Sequence, residues 1–247
     1  IEQSKNGKDV VLTLDSELQS TVETQLQSTM ENENAKSAWC IVMEVDTGKV
    51  VAWASYPTFD QNEHKEIPSY QDAISTSTYE PGSVMKPFTY ATAIDTNVYP
   101  YNKTYVSYQF WYDYDVNTGK ITRLPIGTNS PYPYIADALD ENFGEITFDQ
   151  GLAFSSNVAI CELLANYINY SQYSKYLDAF GFFQKVNTPY VDQSLGVKNI
   201  GLPTDYLSTG FGQASSITVL QLCQAYTAIF NDGTMVRPYV IDSIVDS

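Results

Sequence analysis

Two β-rich runs constrain this chain most. Trp39-Cys40-Ile41-Val42-Met43-Glu44-Val45 and Val50-Val51-Ala52-Trp53-Ala54 flank the short turn Asp46-Thr47-Gly48-Lys49, the pattern of a β-hairpin. Neither run alternates cleanly between apolar and polar, so both faces of the sheet need cover. This predicts helices on either side rather than an open ribbon. One such helix is legible just upstream, where Leu18, Val22, Leu26 and Met30 recur every four residues after the Asp15-Ser16 cap. That stripe predicts a helix reaching about Asn32.

Residues 1–8 are polar and read as an incoming linker, and 9–247 read as one domain with no internal repeat and no domain boundary. Polar composition from Pro57 into Thr78 predicts a long loop. A helix is expected after Pro81-Gly82, ending near Asp95. The stretch from Tyr99 to Tyr134 holds eight tyrosines plus Phe110 and Trp111, broken by Gly and Pro. No period persists there, which predicts a loop-rich excursion with short strands whose aromatic rings pack on one another. Helical patterns return over 149–168, 173–180 and 217–230, before an Asn231-Asp232-Gly233 turn and an extended stretch over 236–245. The order predicts an α/β (α+β) fold, an antiparallel sheet flanked by helices plus a helical portion.

Charge excludes several functions. Against 13 Lys+Arg stand 29 Asp+Glu, a net charge of −16, which repels phosphate backbones and anionic lipid; no nucleic-acid partner is expected. His64 is the one histidine, read as a solvated loop residue. Its isolation leaves no metal site and no cofactor, and argues against a Ser-His-Asp triad. Cys40, Cys161 and Cys223 are far apart, never in a C-x-x-C pair, and read as single thiols in the core. No run approaches the roughly 18 apolar residues of a membrane span.

Chemistry concentrates in Tyr79-Glu80-Pro81-Gly82-Ser83-Val84-Met85-Lys86-Pro87. Ser83 and Lys86 are three apart, so on a helix they share one face. A serine hydroxyl needs something to take its proton, and a lysine made neutral by burial can do so where no histidine serves. Pro87 sits close enough to the helix start to make its opening turn irregular. Alone, this pair equally fits a helix cap and a solvated lysine. A second cluster, Phe154-Ser155-Ser156-Asn157, stands at another helix start and alone would also be a cap.

Together, the two clusters resemble the penicillin-recognising serine acyltransferases. Val10 to Gln19, Ser55-Tyr56-Pro57-Thr58-Phe59-Asp60, Gly210-Phe211-Gly212-Gln213 and Asn231 to Pro238 extend the resemblance over nearly the whole chain, in order. The chain is most similar to class B penicillin-binding proteins of the division type. The resemblance implies a penicillin-binding-protein/serine β-lactamase-like fold and a D,D-transpeptidase of cell-wall synthesis. Ser83 would attack a D-Ala-D-Ala stem peptide to form an acyl-enzyme. Lys86 would be the base and Ser155 would relay a proton to the leaving amine. Asn157 would hold Lys86 and the substrate amide, and the Ser83 N–H would form half of the oxyanion hole. Implied substrate-binding residues are Ser83 and Asn157; implied partners are stem peptides, β-lactam antibiotics, a membrane glycan polymerase and division proteins. An N-terminal anchor on the outer face of a bacterial membrane is implied as well.

One element of the family pattern is missing. No Lys-Thr-Gly or Lys-Ser-Gly string occurs; Asn117-Thr118-Gly119-Lys120 lies in the wrong place and lacks the leading lysine. Against the family, the domain is expected to be incomplete at its C-terminus, without the later sheet strands, and weak or inactive alone. Two alternatives stay open: a serine β-lactamase, which needs a group to activate deacylating water, and a degenerate, non-catalytic penicillin-binding scaffold.

Overall fold

A computed structural model describes residues 7–60, 62, 70–189 and 191–246. His64 lies outside them. The chain forms two compact units, each assembled from separate stretches of sequence. Composition betrays no boundary because the chain passes repeatedly between them.

The first unit takes in the chain up to Thr78, Gln184–Leu195 and Thr218 onward. Strand β1 (Lys8–Leu12) leads to α1 (Ser16–Glu33), capped by Asp15, whose carboxylate accepts the Glu17 and Leu18 N–H groups. Strands β2 (Ala38–Met43) and β3 (Val50–Tyr56) pair antiparallel from Ala38 opposite Tyr56 to Met43 opposite Val50. The hairpin is therefore the one expected. Helix α1 covers one face, its Leu18, Val22, Leu26 and Met30 half-buried. The Gln19 side chain clamps it by bonding both the N–H and the C=O of Trp53, at 2.8 and 2.9 Å.

The other face meets the short α2 (Ala73–Thr76) and, later in the chain, α8 (Val219–Phe230). Ile74, Val186 and Leu220 form the buried cluster there, with Trp39, Ile41 and Trp53 against it. Side chains alternate along a strand, so Cys40 points away from the face of Ile41. Strand β4 (Thr78–Tyr79) and strand β10 (Ile217–Thr218) mark two of the passages between units. The C-terminal β11 (Ile241–Asp246) pairs antiparallel with β1, an edge strand partner that the apolar run over 10–14 did not by itself reveal.

The second unit comprises Tyr79–Phe183 and Gly196–Ile217. Helix α3 (Lys86–Asp95) ends where expected and buries Phe88 completely, against the rings of Phe180 and Phe182 at 4.9 and 5.1 Å. The tyrosine-rich stretch yields β5 (Thr104–Val106), β6 (Gln109–Asp115), β7 (Lys120–Leu124) and β8 (Ile135–Ala136). β6 lies between β7 and β8, and β5 pairs with β9 (Glu145–Thr147). Its rings stack within the segment, Trp111 on Tyr134 at 4.6 Å and Tyr112 on Tyr132 at 5.4 Å.

The helical pattern expected over 149–168 is divided into α4 (Phe148–Ala153) and α5 (Asn157–Asn166), with the Ser-Ser-Asn cluster at the second helix's start as expected and Ser155 between them at a φ of 57°. α5 is apolar on nearly all sides and buried from Val158 to Leu164, as a helix of that composition must be. Helix α6 (Tyr170–Ala179) agrees with the sequence pattern, whereas α7 (Pro203–Thr209) was not anticipated. All three cysteines are free; Cys161 is fully buried, and Cys40 and Cys223 are half-buried.

Candidate active site

The four residues singled out by sequence all fall in the second unit. Ser83 lies in a 3₁₀ turn, Gly82–Met85, that runs directly into α3 with Pro87 in its first turn. Proline's fixed φ and missing N–H suit that position, so the irregular opening follows from the sequence. Ser83 is exposed, and its N–H belongs to an opening turn whose amides lack intrahelical acceptors.

This turn is held from behind by backbone. The Gly82 N–H donates to the Gly212 carbonyl at 2.9 Å, and the Ala214 N–H donates to Glu80 Oε1 at 2.9 Å. A Cβ on Gly212 would stand 2.0 Å from the Gly82 oxygen, and Gly212 has φ of 84°. Only glycine fits both the space and the conformation. Thr89 of α3 adds a bond to the Gly210 carbonyl at 2.9 Å. The Gly210-Phe211-Gly212-Gln213 segment thus acts as the seat of the serine turn, a role the sequence pattern flagged but did not explain.

Lys86 is 2 % exposed. Its Nζ donates to Ser155 Oγ at 3.0 Å and to the Ser155 carbonyl. Burial pulls its pKa from 10.5 down to about 8, against the opposing pull of Asp137 and Cys161. Lys86 makes no direct bond to Ser83 among the described residues. A buried ammonium needs acceptors, and Ser155 offers two, a carbonyl and a hydroxyl, so Nζ turns there.

Asn157 differs from expectation. Its Nδ2 donates to the Ala136 carbonyl at 2.9 Å, and it makes no bond to Lys86 among the described residues. Ser156 caps α5 through the Ala159 N–H at 3.1 Å. Beneath it lies a residue that sequence reading missed, Asp137, 3 % exposed. A single aspartate in Ile135-Ala136-Asp137-Ala138-Leu139 carries no spacing signal that would have revealed it. Among the described residues no group of His, Cys, Asp and Glu is arranged to hold a metal ion.

A buried lysine of lowered pKa, a second serine bonded to it and an exposed serine on a backbone-held turn form a set able to support serine acyl transfer, and the fold is that of the penicillin-binding transpeptidases. The sequence profile of the penicillin binding protein transpeptidase domain matches residues 38–247, and the chain belongs to that family. It is 29% identical over 244 residues to a peptidoglycan D,D-transpeptidase FtsI homolog of Mesostigma viride, covering 95% of this chain and 39% of that protein. The probable peptidoglycan D,D-transpeptidase PenA of Neisseria meningitidis is 27% identical over 94% of this chain and 37% of its own length. Penicillin binding protein 3 of Mycobacterium tuberculosis, solved with aztreonam, superposes with a TM-score of 0.80 at 25% identity, over 97% of this chain and 51% of that one. The chain therefore spans about two fifths of the length of these curated relatives.

Proposed function

We propose that this chain carries the acylating centre of a peptidoglycan D,D-transpeptidase, in which Ser83 is the nucleophile and Lys86 the base. The observation that carries the reading is the buried Lys86, held near a pKa of about 8 and bonded to Ser155. A neutral Lys86 takes the Ser83 proton as Ser83 Oγ attacks the carbonyl of a D-Ala-D-Ala stem peptide. The N–H of Ser83 faces the developing oxyanion. Ser155, already on Nζ, returns a proton to the leaving D-alanine amine, and Asn157 orients the peptide. An amine of a neighbouring stem peptide then takes the acyl group. A β-lactam would occupy the same serine, in line with the aztreonam and ampicillin complexes of the tuberculosis protein.

The geometry disfavours the β-lactamase alternative. The carboxylate whose charge acts on the lysine, Asp137, has its oxygens engaged by Ser156, Val158 and Tyr108 and is not available to activate a deacylating water. The intact Ser83, Lys86, Ser155 and Asn157 disfavour a degenerate scaffold. These residues contain no Lys-Thr-Gly or Lys-Ser-Gly, so weak acylation is expected from this stretch alone. No helix among the described residues is long and apolar enough to cross a membrane. A location on the outer face of the membrane through an N-terminal anchor, with a glycan polymerase and division proteins as partners, belongs to this same proposal. Labelling of the full-length protein by fluorescent penicillin tests it. Covalent, stoichiometric label lost in Ser83→Ala is expected, and equal labelling of that variant would overturn the assignment.

A further inference from the structure

We infer that Asp137 is a positioning residue for acylation, its carboxylate fixing the Ser155-Ser156-Asn157 turn so that Ser155 keeps both of its oxygens on Lys86. The inference rests on the functional reading above. Asp137 Oδ1 accepts the Ser156 hydroxyl at 2.8 Å and the Val158 N–H at 3.0 Å. Oδ2 accepts the Tyr108 N–H at 3.0 Å, and the Asp137 N–H donates back to the Tyr108 carbonyl at 2.9 Å. Its neighbour Ala136 takes the Asn157 amide. Three consecutive residues, 156 to 158, therefore hang on the two residues 136 and 137.

This matters because Ser155 and Tyr108 both hold a positive φ, 57° and 86°, which costs a residue with a side chain on the order of 1 kcal/mol or more. Such backbone persists only where its surroundings over-determine it. Asp137 binds Tyr108 directly and grips Ser156, the residue next to Ser155. Released, the turn relaxes, and Lys86 loses two acceptors together.

Asp137 also acts through charge. The groups acting on Lys86 are Asp137, which favours the ammonium, and Cys161, a fully buried thiol that burial keeps protonated. Asp137→Asn keeps the shape and one acceptor oxygen but removes the charge. With that opposing charge gone, burial acts on Lys86 with less to counter it, and its pKa falls further. Ser156→Ala keeps the charge and removes one grip.

The test is the pH dependence of fluorescent-penicillin acylation in the full-length protein, over about pH 6 to 9, for the parent and both variants. Asp137→Asn is expected to lower the plateau rate about tenfold or more and to move the acid limb to lower pH. Ser156→Ala is expected to lower the plateau with the limb in place. A folded Asp137→Asn protein with the parental plateau and limb would overturn the inference, as would a uniform loss with the limb unmoved, which marks a purely structural role. If Asp137→Asn does not fold by far-UV circular dichroism, Ser156→Ala decides, and a parental plateau there refutes the positioning role. An unlabelled parent overturns this inference together with the functional reading; a labelled parent with indifferent variants overturns this inference alone.

Discussion

Lys86 embodies a conflict between folding and chemistry. Its ammonium is buried, which lowers the pKa to about 8 and leaves a usable fraction of neutral amine near neutrality. The unfolded chain, where the side chain titrates near 10.4, binds the extra proton between those two values. Stability therefore rises with pH from about 8 to about 10.4 on account of this residue. Paired urea titrations of the parent and Lys86→Met should show the difference moving in favour of the parent by about 1.4 kcal/mol per pH unit across that window, and not below it. Raised thiols such as Cys161 and Cys223 work in the opposite sense, but they are common to both proteins and cancel. Lys86→Arg should abolish penicillin labelling while leaving a folded protein, because guanidinium does not surrender its proton in this range.

At the scale of elements, the site is a matter of how turns are seated. Gly212→Ala pushes a methyl group onto the Gly82 backbone in a conformation that disfavours any side chain. Slow or absent labelling of Ser83 and a lowered thermal midpoint are expected, read by gel fluorescence and calorimetry. The β6–β7 hairpin is pinned to α5 by Arg123, which pairs with Glu162 and donates to the Val106 and Gln109 carbonyls at 2.8 and 2.9 Å. Arg123→Met leaves Glu162 buried without its charge partner and should cost about 3–5 kcal/mol in chemical denaturation.

Much of this was legible in advance. The hairpin, α1, α3 and both serine clusters follow from hydrophobic period, cap residues and Pro-Gly punctuation. The second helix start at Ser155-Ser156-Asn157 was legible too, but the left-handed conformation of Ser155 was not, because a Ser-Ser pair does not announce a positive φ. Nor was α7, seven residues opened by Pro203 in an otherwise loop-like stretch. Asp137 was invisible because its partners come from distant positions in the sequence.

For the whole molecule, the decisive fact is that its first unit is not a contiguous piece of sequence. The Ile74, Val186 and Leu220 cluster draws on three separate stretches, so the hairpin's second cover, begun by α2, is completed only by residues that follow most of the other unit in sequence. A chain ending at Ile217 should leave Trp39 and Trp53 against water. Red-shifted tryptophan emission and dye binding are expected, and native-like emission would show that α8 is dispensable. A different consequence follows from the glycine seated on a glycine beneath Ser83. Substitution at Gly212 can only add atoms, so that contact offers no graded adjustment. Adjustment of the Ser83 turn by substitution is closed at that seat and open at the Asp137–Ser156 contact, where single atoms can be lost.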